Sequence, residues 1–569
     1  MICPVFREKN RHFDCVARHK SIVYVNIGPY NETIPFSRKL KQYKEDSFMR
    51  KLLSLALAVM MLLAVMLPVA VSADEPVTIS FFDKNSGVRE FTDPVAKELE
   101  ARTGIKLDLI SPSGNPGEKL SLMLAGLNYP DIVLMDRSSD IVNQYIEAGA
   151  LVNLSDYLDQ MPNVVAMYGD TLNKTRYSDG NNYYLSNWYG YDPDPVNGFI
   201  CRYDYMIELV GQERADSAEP FTYSEFKAIL EQFKAAHPDT KNALVIGQPG
   251  SGSINGTFAG MNSIYPYYVS EGKLYFSVRD PHFIDAIHQM NELYRAGILD
   301  AEWTSNNSEL RNQKLSNPGA LCYAGAYWDT WTPSASLLAS ENANAEYLAY
   351  KVIPDGAESA KLPLAGRSSL GWDAIAITTT CKNVEAAVKF IDYCASQEGQ
   401  DLLLWGIQVK DWDFVNGVRT PIGDIVARYQ ADPSNTVDQT GITKWTWFVK
   451  NDVHPDDGTT CRIWFNEKDR CATYAYQNLT DGYYDSAEFA GLEPAGSSIE
   501  ALMYQGVIDA FDQYYPRMVN AATVEDCDAL YAEMLSAMET AGMSDIEAYM
   551  TEIYFNRLAL WGMEPVSSK

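Results

Sequence analysis

The chain has 569 residues and carries 75 aspartate and glutamate side chains against 46 lysine and arginine side chains, a formal net charge of −29 at pH 7. A surface this acidic repels nucleic acid and anionic lipid over a Debye length, so we exclude nucleic acid as a partner. Seven cysteines follow residue 73, an odd and sparse set that excludes a disulfide framework, and no Cys/His cluster has zinc spacing.

The N-terminal region predicts export. Met49-Arg50-Lys51 is a short basic start, residues 52–71 are almost purely apolar, and Val71-Ser72-Ala73 offers small residues for cleavage. We therefore predict a secretory signal peptide at 49–73 and interpret 1–48 as an upstream extension from a wrongly assigned start codon. The alternative is a retained anchor, because an apolar run of about 20 residues can span a bilayer.

Strands and helices alternate at the start of the exported region. Pro94 after Asp93 predicts a helix start, and Gly104 predicts its end. The predicted strands are 77–82, 105–110 and 131–135, and the predicted helices are 94–103, 117–127 and 140–148. This order predicts a mainly parallel sheet with helices on both faces.

A second α/β region follows an extended crossing at 188–198, where two prolines two residues apart disfavour helix. Thr222 and Glu225 form a capping box for a helix to about 236. Further strands are predicted at 243–247, 273–278 and 320–326. We then expect the chain to return to the first region through a strand at 372–378, followed by helices at 383–395 and 397–405.

Several segments resemble extracellular solute-binding proteins of carbohydrate ABC importers, the group that includes maltose-binding protein. The segments that carry the resemblance are Gly117-Glu118-Lys119-Leu120, Pro130-Asp131-Ile132-Val133, Tyr145-Ile146-Glu147-Ala148-Gly149-Ala150-Leu151-Val152-Asn153-Leu154 and Trp372-Asp373-Ala374-Ile375-Ala376-Ile377 with Ala386-Ala387-Val388-Lys389-Phe390-Ile391. Their order and spacing, rather than any one motif, make the match, which extends over most of residues 76–408.

The resemblance implies a two-lobed periplasmic-binding-protein type II fold, each lobe a mainly parallel sheet flanked by helices, with a hinge between them. Lobe 1 would hold residues 76–188 and about 370–445, and lobe 2 about 192–365 and about 446–569. It also implies a monomer that closes on a carbohydrate and delivers it to the membrane subunits of an ABC permease. Many relatives carry a cleavage-site cysteine that is absent here, so we expect a secreted, cell-envelope or periplasmic protein without a lipid anchor.

A carbohydrate site needs aromatic rings for the sugar faces and polar groups for the hydroxyl rim. Asp136 and Arg137 follow a predicted strand at the edge where open α/β sheets bind ligands, and they resemble a sugar-contacting pair of the family. The alternative for this pair is a helix-capping loop with a surface ion pair. Tyr327, Trp328 and Trp331 follow another strand, where the family places a stacking aromatic, although some of these rings are expected in the core.

Further candidates lie at the crossings. Trp188 and Tyr189 begin the first crossing, where contact with a ligand and packing under the hinge are equally plausible. Trp372 precedes the returning strand, and Asp83 with Lys84 follows the first strand. Trp445 and Trp447 lie two residues apart and share a strand face, for which core burial is the default interpretation.

No cofactor and no metal site is predicted. The acidic turns at 192–194 and 456–458 lack the full spacing of a calcium loop. No GxSxG, HExxH or Walker-type motif is present, so we expect a binding protein rather than an enzyme. Two alternatives remain open, a secreted carbohydrate-active enzyme and a sugar-binding input to a sensor system.

Overall fold

The computed structural model describes residues 77–565 except 86, 88–89, 113, 138, 192, 240–241, 317–319, 341–342, 358, 360, 464–469 and 495–497. The predicted signal peptide at 49–73 and the upstream extension at 1–48 lie outside the described residues. All described residues belong to one compact unit, Glu75–Lys569.

Two central sheets organise this unit, and we number their strands in chain order. They are β1 (Val77–Asp83), β2 (Ile105–Ile110), β3 (Ile132–Asp136), β4 (Leu185–Asn187), β5 (Gly198–Arg202), β6 (Leu244–Ile246), β7 (Cys322–Gly325), β8 (Tyr347–Tyr350) and β9 (Asp373–Ile377). The first sheet has the order β2–β1–β3–β9–β4, and the second has the order β8–β5–β7–β6.

Both sheets are mixed, which refines the prediction of mainly parallel sheets within the confirmed α/β class. β1 is parallel to β2 and β3, whereas β9 is antiparallel to β3 and β4. In the second sheet β7 is parallel to β6, whereas β5 is antiparallel to β7 and β8. The reversed strands, β5 and β9, are the ones that directly follow a crossing. Each of these strands begins at the edge of the sheet where its neighbouring strands end, so it must pair with them in the antiparallel direction.

Five two-stranded pairings accompany the central sheets. They join Tyr267–Ser270 with Lys273–Phe276, Phe221–Thr222 with Val352–Ile353, Gly366–Arg367 with Tyr484–Asp485, Trp412–Val415 with Val418–Pro421, and Tyr189–Gly190 with Lys450–Asn451. The pairings at Gly366 and Tyr189 tie together segments that lie between the two sheets.

Helices flank the sheets, and local capping explains several of their ends. The Asp93 side chain accepts from Ala96 N, Gly104 closes the same helix at φ +69°, and the capping box of Thr222 and Glu225 is present. The α-helices are Pro94–Thr103, Pro116–Ala125, Ile141–Glu147, Pro162–Tyr168, Thr171–Lys174, Tyr203–Val210, Gln212–Ala215, Tyr223–Ala236, Gly256–Met261, Phe283–Arg295, Ser308–Ser316, Trp331–Ser340, Val384–Cys394, Gln397–Trp405, Ile425–Ala431, Pro433–Thr440, Arg470–Leu479, Ile499–Val519, Val524–Thr540 and Met543–Trp561. The 3₁₀ turns are Leu154–Gln160, Ser277–Arg279, Trp303–Ser305, Tyr327–Thr330, Thr480–Gly482 and Ser486–Phe489.

The hydrophobic cores divide the chain into two halves. The cores on the two faces of the first sheet draw on residues between 79 and 189 and between 374 and 463. The core of the second sheet draws on residues between 199 and 364 and between 471 and 558. We call these the first and second halves. The chain passes between them near 190–198, near 365–372 and between 463 and 471.

One boundary between the two halves differs from the expected position. The return to the second half was expected at about 446, but Trp447, Phe448, Val449 and Ile463 are buried in the core of the first sheet. Trp447 packs on Phe81 at 4.9 Å between ring centroids. Tertiary contact with β1, which no local pattern encodes, keeps this segment in the first half.

The seven cysteines of the described region form no disulfide with one another. Within residues 77–565, outside the gaps given above, no helix has the length and apolar character needed to cross a membrane.

Candidate ligand-binding site

The candidate site lies at the edge of the first sheet from which the chain crosses to the second half. β3 and β4 end at this edge and β9 begins there, because Asp373 pairs with both Asp136 and Asn187. Side chains at this edge of an open α/β sheet are placed to meet a ligand.

Two tryptophans stack at this edge. The rings of Trp188 and Trp372 lie 5.4 Å apart between centroids and are inclined by only 14°. Trp372 is 42% exposed, so the stack keeps an accessible aromatic surface. The guanidinium carbon of Arg462 lies 5.3 Å from the ring centroid of Trp188. The sequence singled out both tryptophans separately, and the structure brings them together.

Backbone contacts hold the stack in place. Gly371 has φ +68°, and a Cβ atom there would lie 2.2 Å from the Asn187 carbonyl oxygen, so the close approach requires glycine. Arg137 fixes the same turn, since its backbone N donates to Trp372 O at 2.9 Å and its Nε donates to Gly371 O at 2.7 Å. Trp188 itself has φ +60°, a strained backbone for a bulky residue, and Asn451 Nδ2 donates to its carbonyl oxygen at 2.9 Å.

The second half contributes the aromatic residues that follow β7. Tyr327 is buried, and its ring lies 5.1 Å from that of Trp328 and 5.9 Å from that of Trp331. Its hydroxyl donates to Asp194 Oδ1 at 2.9 Å, which ties it to the first crossing. Trp331 is 50% exposed and begins the helix Trp331–Ser340. As expected, the three rings divide between packing and exposure.

Arg367 links the aromatic residues of the two halves, and the sequence interpretation missed it. Its guanidinium carbon lies 5.5 Å from the ring of Trp328 and 5.8 Å from the ring of Trp372. Its Nη2 lies 3.4 Å from Asp194 Oδ2. The only local indication was its position five residues before Trp372. Arg462, also missed, has no motif around it.

Asp83 and Lys84 lie beneath the site. The Asp83 carboxylate is buried and accepts hydrogen bonds from Trp447 Nε1 at 3.1 Å and from Asn85 N at 2.9 Å. Lys84 Nζ lies 2.7 Å from Asp373 Oδ1. Burial raises the pKa of the Asp373 carboxyl, and Lys84 opposes that rise. Both side chains are engaged within the protein, next to the strand that begins after Trp372.

The remaining candidates differ in accessibility. Asp136 is exposed at the end of β3. Tyr189 is fully buried, and its ring stacks on Tyr168 at 4.2 Å and 15°, so no face of it is open to a ligand. Trp445 and Trp447 are core residues, in agreement with their default interpretation.

No metal centre is evident in the part of the chain that the structure describes, where no three His, Cys, Asp or Glu side chains group suitably. The acidic turn at 456–458 is engaged by Arg419, whose Nη1 lies 2.9 Å from both Asp456 Oδ1 and Asp457 Oδ2. A pocket of about 390 Å³ is lined by residues of the helix Met543–Trp561 and of the strand Lys273–Phe276, and none of the candidate residues lines it. Arg279 in that pocket is paired with Glu547, so its charge is already satisfied.

Residues 95–406 match the family of bacterial extracellular solute-binding proteins. The chain belongs to this family. Lipoprotein LipO of Bacillus subtilis is 24% identical over 352 residues, which are 58% of this chain and 66% of LipO. A protein described from the 5′ region of butB in Niallia circulans is 30% identical over 134 residues, 23% of this chain and half of that protein.

Solved structures of solute-binding proteins share the fold. A human-milk-oligosaccharide-binding protein of Bifidobacterium longum infantis aligns over 86% of this chain and all of its own, with a TM-score of 0.65 and 14% identity. The Streptococcus pneumoniae protein FusA, solved with kestose, aligns over 85% of this chain and 99% of its own, with a TM-score of 0.58 and 16% identity.

Proposed function

We propose that this solute-binding protein captures an oligosaccharide between its two halves and delivers it to the membrane subunits of an ABC importer. The observation that carries the proposal is that Arg367 lies between tryptophan rings of the two halves, 5.8 Å from the ring of Trp372 and 5.5 Å from the ring of Trp328. Sugar rings present C–H faces that pack on aromatic rings, so this surface suits a carbohydrate better than a compact polar solute.

The proposed contacts are of two kinds, aromatic rings against the faces of the sugar rings and polar side chains against their hydroxyl rim. Trp188 and Trp372 form the platform of the first half, while Trp328 and Trp331 face the ligand from the second half. Asp136 and Arg137 supply rim hydrogen bonds at the end of β3. Tyr327, Asp83 and Lys84 act indirectly, by holding these side chains in place, and the buried ring of Tyr189 supports the crossing.

Closure about the crossings would trap the ligand, because both halves contribute rings to one site. The relatives favour this class of ligand, since one binds human milk oligosaccharides and FusA was solved with kestose. The proposal includes a monomer that binds without catalysis. It also includes release without a lipid anchor, which the absence of cysteine between residues 16 and 200 supports. Fatty-acid labelling of the exported protein tests that last point, and incorporation of label would contradict it.

Calorimetry and thermal unfolding with a panel of neutral and acidic oligosaccharides test the function. We expect saturable binding with one site per chain and a rise in the unfolding temperature by mass action. The ligand should be recovered with its length unchanged after prolonged incubation. Shortened products would favour the carbohydrate-active enzyme, and an absence of binding across the panel would overturn the proposal.

A further inference from the structure

Two cysteines face each other across the central sheet of the second half. Cys201 lies in β5 and Cys322 begins β7, and the two residues are directly paired in the antiparallel register of these strands. Side chains at directly paired positions point to the same face of a sheet. Both cysteines are fully buried in the core of the second half.

The backbone hydrogen bonds around the two cysteines identify a non-hydrogen-bonded pair. Arg202 N donates to Leu321 O at 2.8 Å, so the neighbouring pair is the hydrogen-bonded one. Cys322 N instead donates to Ala243 O at 2.9 Å, on the other side of its strand. The two kinds of pair alternate along an antiparallel ladder, and the Cα atoms of a non-hydrogen-bonded pair lie about 4.5 Å apart. That distance lies within the range of about 4.4 to 6.8 Å between the Cα atoms of a disulfide.

The two side chains are free thiols in the structure, and they contact each other. Burial raises the pKa of the Cys322 thiol, and a hydrogen bond with the Cys201 thiol raises it further. The sulfur atoms are therefore within hydrogen-bond distance. A disulfide requires only that they approach to about 2 Å.

We propose that Cys201 and Cys322 form a disulfide that links β5 to β7 in the exported protein. The chain belongs to a family of extracellular proteins, and disulfides form and persist outside the cytoplasm. The bond is a single cross-link within one sheet, which an odd and sparse set of cysteines permits.

The cross-link joins the strand that leaves the first crossing to the strand that precedes Trp328 and Trp331. β5 begins directly after the crossing, and its first residue, Gly198, pairs with Gly325 at the end of β7. A covalent bond a few pairs along the same ladder keeps these two strand ends in register. The link thereby holds the aromatic residues of the second half in a fixed position relative to the crossing.

The oxidation exchanges one disulfide for another. The thiolate of one cysteine attacks the S–S bond of a small-molecule or protein disulfide, which forms a mixed disulfide and releases one thiolate. The thiolate of the second cysteine then attacks the cysteine sulfur of the mixed disulfide, which forms the new S–S bond and releases the second thiolate. The two cysteines lose two protons and two electrons, and the oxidant takes up both as two thiols.

The burial of both cysteines determines when this exchange takes place. The thiolate is the reactive form, and burial disfavours it at Cys322. The closed core also keeps an oxidant away from both sulfur atoms. We therefore expect the bond to form while the exported chain folds, before β5 and β7 are covered.

Peptide mapping of the full exported protein tests the inference. The secreted protein is denatured in the presence of N-ethylmaleimide, which blocks free thiols, and is then digested without reduction. We expect a pair of peptides joined through Cys201 and Cys322 in most molecules, and the loss of this pair after reduction. Blocked thiols at both positions, or a link from either to another cysteine, would overturn the inference.

Refolding tests the timing of the bond. Unfolded, reduced protein that refolds with oxidised glutathione should acquire the Cys201–Cys322 link, whereas reduced protein that is already folded should react far more slowly with the same reagent. Absence of the link from the refolded protein would also contradict the proposal.

Thermal unfolding measures the effect of the bond on stability. The bond closes a loop of about 120 residues, so the oxidised protein should unfold about 5 to 10 °C above the reduced protein. Cys201→Ala and Cys322→Ala should each abolish this difference between oxidised and reduced samples. Cys394→Ala is the matched control, because Cys394 is fully buried in the core of the first half and its removal should leave the difference intact. A difference that persists in Cys201→Ala would assign it to other cysteines and count against the cross-link, and the mapping does not depend on these variants folding.

Discussion

The two halves present their tryptophans to the site in different ways. In the first half, Trp188 and Trp372 stack at 14° over a turn that Gly371 and Arg137 hold through backbone contacts. In the second half, Trp331 is 50% exposed at the first position of a helix. The difference indicates a preorganised platform on one side and an adjustable surface on the other. Preorganisation lowers the entropy lost on binding, so we expect the first half to dominate affinity.

The largest expected effect concerns the ion pair beneath the platform. Lys84→Met leaves Asp373 buried without its cation, which should lower the free energy of unfolding by about 3 kcal/mol and weaken ligand binding. Lys314→Met is the matched control in the second half, because Lys314 pairs with Asp300 at 2.6 Å and the exposed fractions are similar, 16% and 2% against 15% and 0%. Lys314→Met should lower the free energy of unfolding by a similar amount but leave ligand affinity unchanged. Urea unfolding and calorimetry measure the two quantities.

The loss of stability in Lys84→Met should depend on pH. The pKa of Asp373 is raised in the folded protein, and removal of Lys84 raises it further. A carboxyl with a raised folded pKa contributes stability below its unfolded pKa of about 4 and loses that contribution as pH rises through the folded pKa. The stability deficit of Lys84→Met should therefore grow from acid towards neutral pH. A deficit that is constant across urea titrations from pH 4.5 to 8 would contradict this account.

Trp372→Ala tests the platform itself. Loss of the exposed ring face removes stacking and buried area worth about 2 kcal/mol, a roughly 30-fold fall in oligosaccharide affinity. Calorimetry gives the change, and Trp372→Phe should restore part of it because a smaller aromatic face remains. An unchanged affinity in Trp372→Ala would remove the platform from the site.

Gly371→Ala tests the geometry of the turn alone, because the variant keeps every aromatic ring and every charged side chain of the site. The added Cβ would lie 2.2 Å from Asn187 O, so the turn must move and the stack with Trp188 must open. We expect a loss of about 1 to 2 kcal/mol in stability and a weaker near-ultraviolet circular dichroism signal from the tryptophan pair. Gly180→Ala, where φ is +84° and no atom lies within 4 Å, controls for backbone strain alone.

Trp331→Ala should have the smallest effect, about 1 kcal/mol in binding, because an exposed ring that must be ordered on binding returns less free energy. Its stability should be nearly unchanged. A loss larger than that of Trp372→Ala would reverse the comparison and make the second half the dominant side of the site.

Local patterns predicted many elements well. The helices Pro94–Thr103 and Gln397–Trp405 have the predicted bounds, and β1, β3 and β9 lie within one residue of prediction at each end. Capping residues explain this accuracy, because Asp93, Gly104 and the Thr222–Glu225 box act through neighbours a few residues away. The reversal of β9 and the burial of Trp447 depend on contacts about 240 and 360 residues distant, which no short window encodes.

By itself, the sequence determined the α/β class, the family and the aromatic residues from which a site could be built, since these depend on composition, spacing and local capping. The tertiary structure decided which of them meet. It buried Tyr189, engaged Asp83 and Lys84 beneath the platform, stacked Trp188 on Trp372, and brought Arg367 and Arg462 towards them. The physical reason is that the exposure of a side chain, and the charges that lie near it, depend on how the chain passes between the two separate cores. A local sequence pattern does not encode that path.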